Sequence, residues 1–265
     1  MGKIIAVLNE KGGVAKTTTV KNLAGSLSAM KKKVLAIDLD SSANLTKSLR
    51  LTPTKESGSI IEIIDKAIAC EDIPKKFGIL HHEEGMDIIP SSTKLLGYSD
   101  KICNAMKREE ILERYLETIR DDYDYILIDC PGGLEIFTQN ALFASDYLVI
   151  PTESKKLAIE AVQNIFVSVG LVRKLKRTET PIIAGLLFCK VRANTVNDRE
   201  FMQGTRNKYG DKVHIFNHYI PLSTVVSESD VVGKSLYKYA PKSTAAEEYQ
   251  AFTEELLKII DGGEE

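Results

Sequence analysis

The sequence predicts an α/β fold, a mainly parallel twisted sheet with helices on both faces, and three observations predict it. Apolar runs of strand length recur along the chain, and between them lie stretches whose apolar residues repeat at helical spacing. The strand runs are near-continuous Val, Ile and Leu, the pattern of parallel strands buried on both faces. A glycine-bearing loop, "NEKGGVAKTTT" at residues 9–19, joins the first such strand to the first helix.

The elements follow in order. "IIAVLN" (4–9) reads as the first strand, and Val20, Leu23, Ala24, Leu27 and Met30 mark one face of the helix after it. Lys31, Lys32 and Lys33 fall at its carboxyl end, where cations suit the helix dipole. Further strands are expected in "VLAIDLD" (34–40), "MDIIPS" (86–91), "YDYILIDC" (123–130), "YLVIPT" (147–152) and "PIIAGLLF" (181–188), with a last one within "VHIFNHYIP" (213–221). Helices are expected over 107–120, 158–175, 198–208 and 245–260. The weakly patterned connection around 52–85 reads as a small helical insertion, with "SIIEIIDKAIA" (59–69) as its helix. Residues 1–265 thus read as a single domain, and 43% hydrophobic residues suffice for one large core.

Composition excludes several classes. The longest apolar stretches are strand-sized, well short of a membrane-spanning helix. The amino terminus has no signal-peptide pattern, because its short apolar run leads straight into the glycine loop. Cys70, Cys103, Cys130 and Cys189 are widely spaced without a CxxC pair, so neither a zinc site nor a disulfide framework is indicated. Buried thiols in a reducing cytoplasm are the expectation. With a net charge of −2, contact with nucleic acid would have to come from a local patch, since proteins that hold it across a large face are basic.

The first loop has the chemistry of an anion site. Its glycines let backbone N–H groups converge, and the helix behind it adds a partial positive charge. Lys16 would reach the outer phosphates of a nucleotide and the Thr17 hydroxyl would coordinate Mg²⁺. Asp38 and Asp40 end one apolar strand and Asp129 another, and in parallel sheets ligands bind outside the carboxyl ends of strands. Carboxylates there can hold Mg²⁺ through its waters or orient an attacking water.

Three stretches together resemble one family. "KGGVAKTT" (11–18) looks like the deviant Walker A loop of the ParA/MinD family of P-loop ATPases. "VLAIDLDSSANLT" (34–46) is similar to that family's second motif, and "YDYILIDCPGGLEIFTQNAL" (123–142) resembles its Walker B strand and switch segment. "IPSSTKLLG" (89–97) and "IPLSTVVSESDVVGKSL" (220–236) match weaker landmarks, so the resemblance runs over nearly the whole chain. It implies a P-loop NTPase fold, and slow hydrolysis of ATP to ADP with Mg²⁺. Lys11, Gly12, Gly13, Val14, Ala15, Lys16, Thr17 and Thr18 would form the nucleotide loop. Lys11 would reach across a homodimer to phosphates on the partner's nucleotide, Lys16 would keep the ordinary P-loop role, and Thr18 would contact the α-phosphate. Asp40 would position the hydrolytic water, Asp38 would support the metal shell, and Asp129 would hold Mg²⁺ through water beside Thr17. Cys189 and Pro221 fall on segments that form the adenine pocket in relatives.

The departures from that pattern bear on function. Ala15 replaces a glycine, a change expected to be tolerated provided the backbone needs no positive φ there. Ser41 and Ser42 stand where Pro-Gln is usual, and Gly132 where a second proline is common, loosening the segments that would sense the γ-phosphate. Leu222 and Val225 occupy positions where relatives often carry arginines that contribute to DNA binding, although Lys234, Lys238 and Lys242 follow closely. The leading expectation is a partitioning ATPase. It would dimerise on ATP, bind double-stranded DNA without sequence preference and be stimulated by a ParB-like centromere-binding partner. It would be cytoplasmic, and nucleoid-associated through DNA. A nucleotide-gated scaffold for a non-DNA cargo is the alternative. A MinD-like membrane switch fits less well, because the tail at 247–265 is amphipathic but acidic and is expected to pack on the protein. Cys103 and Cys130 lack the glycine-rich contexts of a nitrogenase-reductase-like iron–sulfur carrier.

Overall fold

Strand β1 (Lys3–Val7) feeds helix α1 (Lys16–Ala29), and β2 (Val34–Asp38) leads into the short α2 (Asn44–Ser48) and then α3 (Ile60–Ile68). A two-residue β3 (Leu80–His81) turns back into β4 (Asp87–Ile89), followed by α4 (Ser99–Cys103) and α5 (Ile111–Ile119). Next come β5 (Tyr125–Asp129), α6 (Ile136–Ala144), β6 (Tyr147–Glu153) and α7 (Lys156–Lys176). The chain ends with β7 (Ile182–Val191), α8 (Val196–Tyr209), β8 (Ile220–Pro221), α9 (Thr224–Val232), α10 (Leu236–Tyr239) and α11 (Thr244–Asp261). This computed structural model describes residues 1–54, 56–133, 135–192 and 195–262, the side chains of 156–161 excepted. Leu134, within the predicted switch segment, and 263–265 of the tail lie outside the described residues.

The strands form one sheet in the order β3-β4-β2-β5-β1-β6-β7-β8. All neighbours are parallel except β3 and β4. From β1 the chain crosses to β2 on one side, and later enters β6 on the other. The carboxyl end of β1 therefore sits where the winding reverses, the place at which open α/β sheets bind ligands. Register does the rest of the positioning. Val7 lies opposite Asp129, and Asp129 opposite Asp38, so two carboxylates and the start of the loop share one level at the sheet's carboxyl edge.

Both faces of the sheet are buried, as the continuous apolar strands require. On one face Ile5, Val7, Val34, Ala36 and Leu127 pack beneath Val20, Leu23, Ala24 and Leu27 of α1 and beneath Tyr249, Phe252, Leu256 and Ile260 of α11. On the other, Ile4, Ala6, Leu8, Ile126 and Ile128 pack against α3, α5, α6 and α7. Helix α11 thus lays the apolar side of the acidic tail on the core, as its pattern predicts. Among the described residues no helix is long and apolar enough to cross a membrane.

Three expectations are corrected. Cys130 and Cys189 are buried but Cys70 and Cys103 are exposed, because the latter two lie at helix ends and not in strands. The apolar run at 213–221 pairs as a strand only at Ile220–Pro221, with a single bridge from Ile215 to Leu186. The helix expected from 107 begins at Ile111, after Lys107 takes a left-handed backbone conformation with φ 51°.

Candidate functional site

The loop after β1 is held from below. Asn9 is fully buried, its Nδ2 donates to Pro151 O at 2.7 Å, and its Oδ1 accepts from Lys11 N at 3.0 Å. Val14 is buried beneath the loop. Gly13 has φ +76°, and a Cβ at either Gly12 or Gly13 would meet nothing within 4 Å, so the loop's outer side is open space. Ala15 has φ 71° and serves as the N-cap of α1 without a side-chain hydrogen bond. The condition attached to this alanine therefore fails: the backbone does need a left-handed conformation, and the methyl is carried at a cost of about 1–2 kcal/mol. With no side-chain cap and no acid in its first turn, α1 leaves its amino-terminal N–H groups and positive dipole end for an anion.

A cavity of about 860 Å³ opens over this loop. Gly12, Gly13, Ala15, Lys16, Thr17, Thr18 and Asp40 line it, so most of the predicted loop and one predicted carboxylate converge. Lys16 is buried and folds back, donating to Asn9 O at 3.0 Å and Lys11 O at 3.1 Å. Burial lowers its pKa, opposed by the neighbouring Asp129 and Asp40 carboxylates. Asp40 accepts from Ser42 N at 2.8 Å through Oδ1, and its carbonyl accepts from Ser91 Oγ at 2.9 Å, which fixes the turn that presents it. Ser41, Ser42, Pro131 and Gly132 also line the cavity. Gly132 and Gly133 lie against the loop backbone, with Gly133 N donating to Glu10 O at 3.1 Å.

The two remaining carboxylates differ in kind. Asp38 is buried and committed to its own chain: it accepts from Thr46 N at 2.9 Å, Thr46 Oγ1 at 2.6 Å and Asp40 N at 3.2 Å. Burial pushes it up to about 6 despite these donors. Asp129 is fully buried, and neither carboxylate oxygen has a partner of hydrogen-bonding geometry among the described residues. Burial and the Asp38 charge hold its pKa well above the carboxylate range, against the nearby Thr17 hydroxyl and Lys16 ammonium. An orphaned carboxylate beside a threonine hydroxyl, beneath an open anion cradle, fits a hydrated divalent cation. Among the described residues no three His, Cys, Asp or Glu groups converge to hold a metal directly, so the site suits an ion that keeps its waters.

Other predicted residues sit apart from the cavity. Lys11 does not line it, and its Nζ lies 3.1 Å from Glu153. Cys189 is buried in β7, its thiol pushed up to about 12 by burial, and neither it nor Pro221 lines the cavity. Leu222 instead lines a smaller cavity of about 190 Å³ with Glu153, Lys155, Lys190, Arg192 and Asp198. Lys190, Lys47 and Asp230 line the main cavity and were not foreseen. Asp230 falls within the landmark at 220–236, Lys47 follows the motif at 34–46, and Lys190 follows Cys189 in β7, its Nζ donating to Gly13 O.

A protein-family model described as an AAA domain matches residues 2–182. The sporulation initiation inhibitor protein Soj of Bacillus subtilis is 35% identical over 256 residues, 97% of this chain and 98% of Soj. The chromosome partitioning protein ParA of Myxococcus xanthus is 30% identical over 260 residues, 97% of this chain and 89% of that protein. The crystal structure of cobyrinic acid a,c-diamide synthase from Mycobacterium smegmatis with bound ADP and magnesium superposes with a TM-score of 0.84 at 27% identity, covering 99% of this chain and 97% of that one.

Proposed function

This chain belongs to the AAA-domain P-loop ATPase family that includes Soj and the ParA partitioning proteins, and we propose that it works as an ATP-dependent dimerising switch in DNA partitioning. The observation that carries the reading is the uncapped amino terminus of α1 behind the open Gly12–Gly13 cradle, with Lys16 and the orphaned Asp129 beside it. The name of the chromosome partitioning relative and the ADP and magnesium of the structural neighbour support it.

Bound ATP with Mg²⁺ supplies an electrophilic γ-phosphoryl group. Lys16 leaves the Asn9 and Lys11 carbonyls for the phosphates, where its charge stabilises the transferring group. Thr17 would contact Mg²⁺ and Asp129 would hold its waters, while Asp38 keeps the Thr46 and Asp40 turns in place. Asp40, on the cavity wall, orients the attacking water. Lys11 crosses to the nucleotide of a second copy in an isologous dimer, so each protomer completes the other's site. Because ATP binds the dimer more tightly than the monomer, it shifts the population towards the dimer and hydrolysis reverses the shift.

The dimer binds double-stranded DNA through phosphate contacts, and a ParB-like partner accelerates hydrolysis and release. Leu222 is half-exposed where relatives often carry arginine, and Lys234 is partly occupied 3.6 Å from Glu83, which leaves Lys238 and Lys242 as exposed cations of that surface. Binding to random duplex DNA with ATP and with ADP, over a salt series, tests this. The expected result is ATP-dependent binding that weakens steeply with salt. No ATP-dependent binding at low salt would favour a nucleotide-gated scaffold for a non-DNA cargo.

A further inference from the structure

Lys21 lies on α1 five residues beyond Lys16, and its side chain is 0% exposed. A buried ammonium is tolerated only when it is paired and hydrogen-bonded. This one donates to two consecutive residues of α9, to Ser229 Oγ at 3.0 Å and to a carboxylate oxygen of Asp230. Burial lowers its pKa, and the hydrogen bond and charge of Asp230 oppose that, with the Glu84 charge adding to them. Ser229 is itself buried and donates back to Val226 O at 2.7 Å.

The far side of this contact faces the site. Asp230 and Val231 line the same cavity as Lys16, Thr17 and Thr18, so the last turn of α9 is one of its walls. The Asp230 side chain is 41% exposed, and its Oδ1 meets Lys21. The turn beyond is fixed as well: His82 Nε2 lies 3.2 Å from Gly233 O, and Asn22 links Thr18 O, at 2.8 Å, to Leu236 N, at 2.7 Å. An apolar contact would hold two helices together equally well, but a buried ion pair also fixes one register of α9 on α1.

We propose that Lys21 is a positioning residue for the nucleotide site, locking the α9 wall formed by Asp230 and Val231 against the helix that carries Lys16, Thr17 and Thr18. The proposal rests on the reading of this cavity as an ATP site. Lys21 touches no nucleotide; it sets the width of the space that the nucleotide enters. Its loss acts on binding more than on the chemical step.

The test is titration of a fluorescent ADP analogue with Mg²⁺, alongside thermal melting and steady-state hydrolysis, on the wild type, Lys21→Met, and Lys21→Met combined with Asp230→Ala. In the single variant the Asp230 carboxylate loses its partner, so both melting temperature and affinity fall. In the double variant no charge is left unpaired. The melting temperature recovers, yet the affinity stays about tenfold weak because the wall is untethered. In Lys21→Met, whose altered side chain touches no nucleotide, KM for ATP rises while kcat changes by less than about twofold. Affinity that returns together with the melting temperature would overturn the positioning role, as would unchanged affinity in both variants. Should the single variant fail to fold, the double variant decides alone. A wild type that does not bind the ADP analogue would overturn the nucleotide reading itself, an outcome distinct from the other two.

Discussion

Lys11 Nζ lies 3.1 Å from the Glu153 carboxylate, so in the single chain the lysine proposed to serve a partner's nucleotide is held on its own molecule. Glu153 ends β6, next to the strand that leads into the loop, and also takes a bond from Lys155 at 2.9 Å. In the proposed dimer this ion pair would be exchanged for a contact with the partner's nucleotide. The Lys11 side chain is 36% exposed, which places the pair in the range of about 0.3–1 kcal/mol. Glu153→Gln is therefore expected to tighten the ATP dimer by up to about fivefold, measured by sedimentation. Unchanged dimer affinity would remove Glu153 from the switch.

The same pair sets a pH dependence. Burial pushes Glu153 up, but hydrogen bonds and charge from Lys155 and Lys11 hold its pKa below the ordinary 4.5. A carboxyl lowered in the folded state binds fewer protons folded than unfolded, so its stabilisation is present above 4.5 and lost as pH falls through the folded value. The melting-temperature advantage of the wild type over Glu153→Gln should hold at neutral pH and shrink only below that point. An advantage that grows on acidification has the wrong sign for this pair.

Ala15 occupies a left-handed backbone conformation with φ 71°. Glycine there would relieve the Cβ strain while adding freedom to the unfolded chain, so Ala15→Gly should stabilise the protein by about 1 kcal/mol. For a chain of this size that is roughly 2–4 °C in melting temperature. A loss of stability would mean that the methyl's contacts outweigh the strain.

Asp129 is expected to separate stability from function. Among the described residues its buried carboxylate has no partner of hydrogen-bonding geometry, and burial and the Asp38 charge disfavour it more than the nearby Thr17 hydroxyl and Lys16 favour it, so Asp129→Asn should raise the melting temperature of the nucleotide-free protein by roughly 2–8 °C. The same change should abolish the additional stabilisation that Mg²⁺ gives in the presence of ADP. A variant that is less stable alone, or that keeps the full Mg²⁺ effect, would contradict the assignment.

Much of this was legible in the sequence, and what was not has physical reasons. Continuous apolar runs announced the central strands, and the glycine, lysine and hydroxyl residues between β1 and α1 announced the anion loop, because local chemistry fixes both. The convergence of Asp38 with Asp129 followed from strand ends in a parallel sheet. The partners of these groups were not legible. Glu153 is 142 residues from Lys11, Lys190 is 177 from Gly13 and Asp230 is 209 from Lys21, and periodicity carries nothing about such pairings. Asp38 is expected to support the metal shell, and strand position alone does not reveal that its oxygens also accept from Thr46 and Asp40. The strand expected at 213–221 shrank to two residues because a run broken by His214, Asn217 and His218 offers few positions suited to a buried edge.

The central claim is that one protomer's Lys11 completes the other's site. Size-exclusion chromatography with ATP and Mg²⁺, comparing the wild type with Lys11→Ala, tests it most directly, with nucleotide binding to each measured in parallel. The expected result is a wild type that elutes as a dimer with ATP and as a monomer with ADP, and a variant that binds nucleotide but stays monomeric in both. A Lys11→Ala protein that dimerises with ATP as the wild type does would contradict the claim.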